Sequence, residues 1–136
     1  MQDQAPKGPR IAHVGLALGS IAEASFFYRE ILGMEAAQMS DSDGAKITAF
    51  QAGESLVELM EADGADTPVG RFISKRGPGI HHVCFAVDDI DATLERCRTA
   101  GIRLIDDTPR VGAEGKRIAF IHPGSTGGIL VELSEH

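Results

Sequence analysis

Two histidines and two glutamates recur at matched places along the chain. His13 stands in Ile11-Ala12-His13-Val14-Gly15-Leu16-Ala17-Leu18, and His82 in Ile80-His81-His82-Val83-Cys84-Phe85-Ala86-Val87. Glu58 stands in Leu56-Val57-Glu58-Leu59-Met60-Glu61, and Glu132 in Leu130-Val131-Glu132-Leu133-Ser134-Glu135. A single strand histidine is commonly structural, and a single mid-strand glutamate commonly faces solvent. A carboxylate inside an apolar strand is costly to bury unless it is paired or binds a metal. Finding both residue types twice, at the same strand positions, favours the metal over the solvated face. Two neutral imidazoles and two carboxylates suit a divalent ion such as Co²⁺, Mn²⁺, Ni²⁺, Zn²⁺ or Mg²⁺. On an octahedral ion they leave two adjacent positions, which suits a substrate presenting two oxygens.

The elements that must position these residues also repeat. In the first histidine segment Val14, Leu16 and Leu18 alternate with His13, Gly15 and Ala17. In the second, Val83, Phe85 and Val87 alternate with His82, Cys84 and Ala86. Strand side chains alternate faces, so each histidine lies opposite the bulky apolar face, among small neighbours. A helix follows each strand. Ser20-Ile21-Ala22-Glu23 has the form of a capping box, Ile21, Ala24, Tyr28, Ile31 and Leu32 make a helical stripe, and Gly33 ends it. In the second copy Asp88 or Asp89 caps, Ile90, Leu94 and Cys97 form the stripe, and Gly101 ends it. These helices are expected to cover the Val/Leu/Phe faces and leave the histidine faces for something else.

Strands are predicted over Ala45–Gln51 and Leu56–Glu61, and again over Gly115–His122 and Gly128–Ser134, each pair joined by a glycine-containing turn. Glu58 and Glu132 each lie opposite two apolar residues of their own strand. The glutamates are spaced slightly further apart than the histidines, which fits a longer final turn. The chain therefore reads as an α+β fold of two tandem βαβββ modules, about 11–66 and 80–136. A linking helix is expected over about 68–77, capped by Thr67, opened by Pro68 and stopped by Gly77-Pro78-Gly79. Met1–Arg10 lacks the apolar centre of a signal peptide and reads as a flexible leader.

The remaining titratable groups have plainer readings. His81 has the opposite parity to His82 and matches Ala12. His122 precedes a Pro-Gly turn and shapes it. Asp88, Asp89 and Asp91 sit around a helix start, and Glu61 and Glu135 are expected to be solvated at strand ends. The glycines at 112, 115, 124, 127 and 128 form no phosphate-binding loop, since no Gly-Lys-Ser/Thr follows them. The 136 residues carry a net charge of -7 and are 43% hydrophobic. That balance argues against a nucleic-acid binder, and no apolar run reaches the roughly 20 residues of a membrane span. Cys84 and Cys97 suit a reducing cytoplasm and no disulfide.

The paired pattern resembles the vicinal oxygen chelate superfamily and, within it, the methylmalonyl-CoA epimerase family. The most specific stretches are Arg71-Phe-Ile-Ser-Lys-Arg-Gly-Pro-Gly-Ile-His-His-Val83, Leu104-Ile-Asp-Asp-Thr-Pro-Arg-Val-Gly112, and Ile118-Ala-Phe-Ile-His-Pro123 leading into Gly128-Ile-Leu-Val-Glu132. The resemblance implies a curved eight-stranded mixed sheet around a metal site. It matches His13, His82 and Glu132 to metal ligands, and places Glu58 where members have Gln or Glu as a further ligand. It implies a divalent ion, Co²⁺ before Mn²⁺, Ni²⁺, Zn²⁺ or Mg²⁺, an acyl-CoA substrate and a cytoplasmic homodimer. The implied reaction is epimerisation of (2R)/(2S)-methylmalonyl-CoA by alpha-proton transfer, with the metal stabilising an enolate and Glu132 moving a proton.

Two departures stand out. Some members carry a second glutamate on the strand aligned with Ala45–Gln51, where this chain has Lys46, Ile47 and Thr48, so the second proton carrier is open. Gly124 stands where relatives often have Lys, which leaves Lys116, Arg117 and Ser125 as candidate contacts to CoA. The competing readings are a glyoxalase I-like lyase acting on a glutathione hemithioacetal and a non-enzymatic binding member. An Fe²⁺ dioxygenase fits less well, since two histidines and one glutamate would leave Glu58 unexplained.

Overall fold

A computed structural model describes residues 8–37 and 39–136. The expected leader falls mostly on residues 1–7, outside the described residues. Eight strands form a single sheet: β1 (Arg10–Leu18), β2 (Ala36–Ala37), β3 (Ala45–Ala52), β4 (Ser55–Ala62), β5 (Gly79–Val87), β6 (Arg110–Val111), β7 (Arg117–Ile121) and β8 (Val131–Glu135). The helices are α1 (Ile21–Phe26), α2 (Pro68–Arg76) and α3 (Ile90–Thr99). The strand order is β2-β3-β4-β1-β5-β8-β7-β6. Within each half the histidine strand pairs in parallel with the glutamate strand, β1 with β4 and β5 with β8. The halves join where β1 meets β5 antiparallel. The order is therefore the same read outward from either side of that seam, as a pseudo-twofold axis requires. The two-residue strands β2 and β6 carry too short a pattern to be read from sequence.

The helix starts follow their caps. Ser20 accepts from the Glu23 N–H, Thr67 from Gly70 and Asp89 from Ala92, each satisfying an otherwise unpaired first-turn donor. Glu61 and Glu135 differ from the solvated reading. Glu61 accepts from the Ile21 N–H at 2.9 Å and Glu135 from the Ile90 N–H at 3.1 Å. Each ties a glutamate strand to the first residue of its module's helix, where the positive end of the helix dipole favours a carboxylate.

The helices bury different things. Under α3, Ile90 and Leu94 pack with Val87, Ala119, Ile121 and Leu133 in a closed core. After α1 the chain runs into a π turn over Phe27–Ile31. The wider turn changes the angular phase of the residues beyond it. Tyr28 stacks on the buried Phe50 with ring centroids 5.9 Å apart, but Ile31 and Leu32, expected in the stripe, are 62% and 54% exposed. Helix α2 packs with Ala17, Ala45 and Met60, residues that share strand faces with His13, Ile47 and Glu58. Part of the histidine face is thus closed by the linking helix. Among the described residues no helix is long and apolar enough to cross a membrane.

Candidate metal centre

The four repeated residues meet across the central four strands. Strand register puts Gly15 of β1 beside Glu58 of β4 on one side and His82 of β5 on the other. The mirrored row puts Cys84 of β5 beside Glu132 of β8 and His13 of β1. Each row is thus a glutamate and a histidine flanking a small residue. Gly15 is required by this packing: a Cβ there would lie 2.3 Å from the His82 ring. His13, Glu58, His82 and Glu132 are all buried, at 3–5% exposure, at the floor of a cavity of about 380 Å³.

Three ligand atoms form a closed triangle. His13 Nε2 lies 3.0 Å from His82 Nε2, His13 Nε2 lies 3.0 Å from Glu132 Oε1, and His82 Nε2 lies 3.0 Å from the same oxygen. Two atoms bound at right angles about 2.1 Å from one ion stand about 3.0 Å apart. Glu58 Oε2 comes within 3.2 Å of His13 Nδ1, yet this buried oxygen receives no hydrogen bond. An orphaned buried carboxylate oxygen is costly unless a cation satisfies it. His13, Glu58 and His82 also offer one ligand atom each within 4.8 Å of one another. The donor set fits a divalent ion.

The electrostatics point the same way. Burial alone would lower the His13 pKa, but its hydrogen bonds to Cys84, Glu114 and Glu132 and the charge of Glu58 raise it well above the ordinary imidazole range. Burial works against charge on Glu132 too, but hydrogen bonds to His13 and His82 outweigh it and hold the pKa low. Burial pushes Glu58 up to about 7, against the pull of the His13 charge. With the His13 pKa raised, a cation bound at this nitrogen cluster would compete with a proton.

The candidate CoA contacts sit elsewhere. Arg117 pairs with Asp91 and Glu135, Lys116 Nζ contacts His136 Nδ1 at 2.8 Å, and Ser125 Oγ accepts from the Arg103 N–H. None of the three lines the cavity. His122 accepts from the Gly124 N–H and so shapes its turn. His81 Nδ1 contacts His82 Nδ1 at 2.9 Å, and burial with the nearby His82 lowers its pKa to about 4.

Two neighbours of the cluster were not singled out by sequence. Cys84 Sγ lies within 4.8 Å of ligand atoms of His13 and Glu132. Its strand parity was the available signal. Burial pushes its pKa up to about 11, so it stays a thiol at neutral pH. Glu114 reaches His13 from the turn between β6 and β7, and a single carboxylate in an irregular turn carries no periodic signal. From β3 the cavity is lined by Ala45 and Ile47, and the carboxylates in its wall are Asp43, Glu58, Glu114 and Glu132.

Residues 12–120 match the Glyoxalase/Bleomycin resistance protein/Dioxygenase superfamily. An uncharacterised Bacillus subtilis protein, YqjC, is 41% identical over 93% of this chain and 91% of its own. The ethylmalonyl-CoA/methylmalonyl-CoA epimerase of Cereibacter sphaeroides is 35% identical over 93% of this chain and 97% of its own. A structure of methylmalonyl-CoA epimerase in complex with methylmalonyl-CoA and NH4+ superimposes with a TM-score of 0.87 at 32% identity, covering 93% of this chain and 94% of that one. The chain belongs to the glyoxalase/bleomycin resistance protein/dioxygenase superfamily and, within it, to the family of the methylmalonyl-CoA epimerases.

Proposed function

We propose that the chain interconverts (2R)- and (2S)-methylmalonyl-CoA by moving the proton alpha to the thioester. The observation that carries this reading is the 3.0 Å triangle of His13, His82 and Glu132 beside the orphaned oxygen of Glu58. These four residues would hold a divalent ion, Co²⁺ by family resemblance. A bound divalent ion supplies Lewis-acid stabilisation of negative charge developing on the thioester oxygen.

The chain's own residues supply the rest. Family resemblance makes Glu132, which lines the cavity, the carboxylate that removes the alpha proton from one face in one direction of the reaction and delivers it to that face in the other. Ile47, Met60, Ile118 and Leu130 give the cavity apolar walls that exclude water from the reacting carbon. With Ile47 in the wall, the opposite face is served by a group outside β3. The same proposal includes a cytoplasmic homodimer, checked by light scattering of the purified protein.

Incubation with either epimer in D₂O tests the reaction. Deuterium is expected at the alpha carbon, lost on chelation and restored by Co²⁺. Absence of exchange, with lactoylglutathione formed from methylglyoxal and glutathione, would transfer the assignment to a glyoxalase I-like lyase.

A further inference from the structure

The outer nitrogens of the two histidines are held differently. His82 Nδ1 faces His81 of its own strand. His13 Nδ1 faces Glu114, which comes from the other half of the molecule, at 3.1 Å to Oε2. The turn that carries Glu114 is closed by a hydrogen bond from the Gly115 N–H to the Gly112 carbonyl, and Gly115 takes a φ of +78°. At Gly112 a Cβ would lie 2.8 Å from the Ile118 side chain, so the turn sits tightly on β7. The Ser40 N–H also donates to the Ala113 carbonyl, which ties the turn to the first half.

Two carboxylate oxygens compete for His13 Nδ1: Glu114 Oε2 at 3.1 Å and Glu58 Oε2 at 3.2 Å. An imidazole nitrogen carries one hydrogen, in the ring plane. That direction makes the bond to Glu114 and leaves Glu58 Oε2 unpartnered. The other cavity carboxylate carried by a loop, Asp43, is taken by the Arg110 guanidinium at 3.2 and 3.3 Å.

We infer that Glu114 is a positioning residue for the metal centre: it accepts the Nδ1 hydrogen of His13, fixes the tautomer whose Nε2 lone pair faces His82 and Glu132, and leaves Glu58 for the cation. A carboxylate behind a ligand imidazole sets its orientation and raises its basicity. The inference rests on the metal reading above and adds the group that prepares one ligand.

Zinc titration by calorimetry, on wild type, E114A and E114Q, tests it without turnover. E114A is expected to bind Zn²⁺ about 10- to 100-fold more weakly, the range for losing such a partner. E114Q keeps an acceptor oxygen and is expected to recover much of that loss. Equal affinity in E114A and wild type, or an equal loss in both variants, overturns the inference. A wild-type protein that holds no divalent ion overturns the metal reading and this inference with it. Nitrogen-15 spectra of the Zn²⁺-loaded wild type, labelled at histidine, give a check that needs no variant. A slowly exchanging hydrogen on His13 Nδ1 is expected; coordination through Nδ1 would overturn the assignment.

Discussion

The two halves share a strand order but not a packing solution. In the C-terminal half α3 buries Ile90 and Leu94 completely, at 0% and 1% exposure, over a closed apolar core. In the N-terminal half the corresponding helix breaks into a π turn and leaves Phe26, Phe27, Ile31 and Leu32 more than half exposed. Near the seam the halves agree closely. Gly15 beside Glu58 and His82 mirrors Cys84 beside Glu132 and His13, and Glu61 on Ile21 mirrors Glu135 on Ile90. Placement of the four buried residues depends on register and on a small residue between them, and those are the features that match. A helix face needs only enough apolar cover, so it is free to differ.

Substitutions at paired positions sharpen this comparison. The largest contrast is expected between the glutamates. E132Q should cut alpha-proton exchange by about 10²–10⁴-fold, the usual worth of a proton-transfer group, while some metal stays bound. E58Q should weaken metal binding and, at saturating metal, keep more exchange than E132Q. Equal losses at saturation would mean that the halves are catalytically equivalent.

Next in size are the helices. L94A should destabilise the fold by about 2–5 kcal/mol, read from denaturant midpoints, because it opens a cavity in a closed core. I31A should stay within about 0.5 kcal/mol, as for an exposed side chain. A comparable cost for I31A would show that the surface of the π turn is covered in solution.

The small residues at the row centres give the last contrast. G15A should weaken Zn²⁺ binding by about 10- to 100-fold, since its methyl group displaces the His82 ring. C84A leaves room rather than taking it, and should cost about 1 kcal/mol in thermal stability with metal binding retained. A loss of metal in C84A would make the thiol part of the cage.

Much of this arrangement was legible in the chain. Period-two alternation placed His13 and His82 opposite the bulky face, and the repeated Leu-Val-Glu-Leu brought Glu58 and Glu132 into the same plan. What stayed hidden has local physical causes. The strands β2 and β6 are two residues each, too short for any period to register. The π turn over Phe27–Ile31 puts Tyr28 on Phe50 of a distant strand, a contact that no spacing within the helix records. Glu61 and Glu135 end strands like solvated residues, and only the tertiary approach of each helix start makes them acceptors. Glu114 lies in an irregular turn, and its partner is 101 residues away in sequence.

The antiparallel seam between β1 and β5 gives the centre a mechanical meaning. His13 and Glu58 ride on one side of that seam, His82 and Glu132 on the other, so an ion held by all four would rivet the sheet across its middle. Anything that pries β1 from β5 must tear two of its bonds from the other two. Uptake of the ion should therefore report whether the halves have docked, and heat should separate them later when it is present.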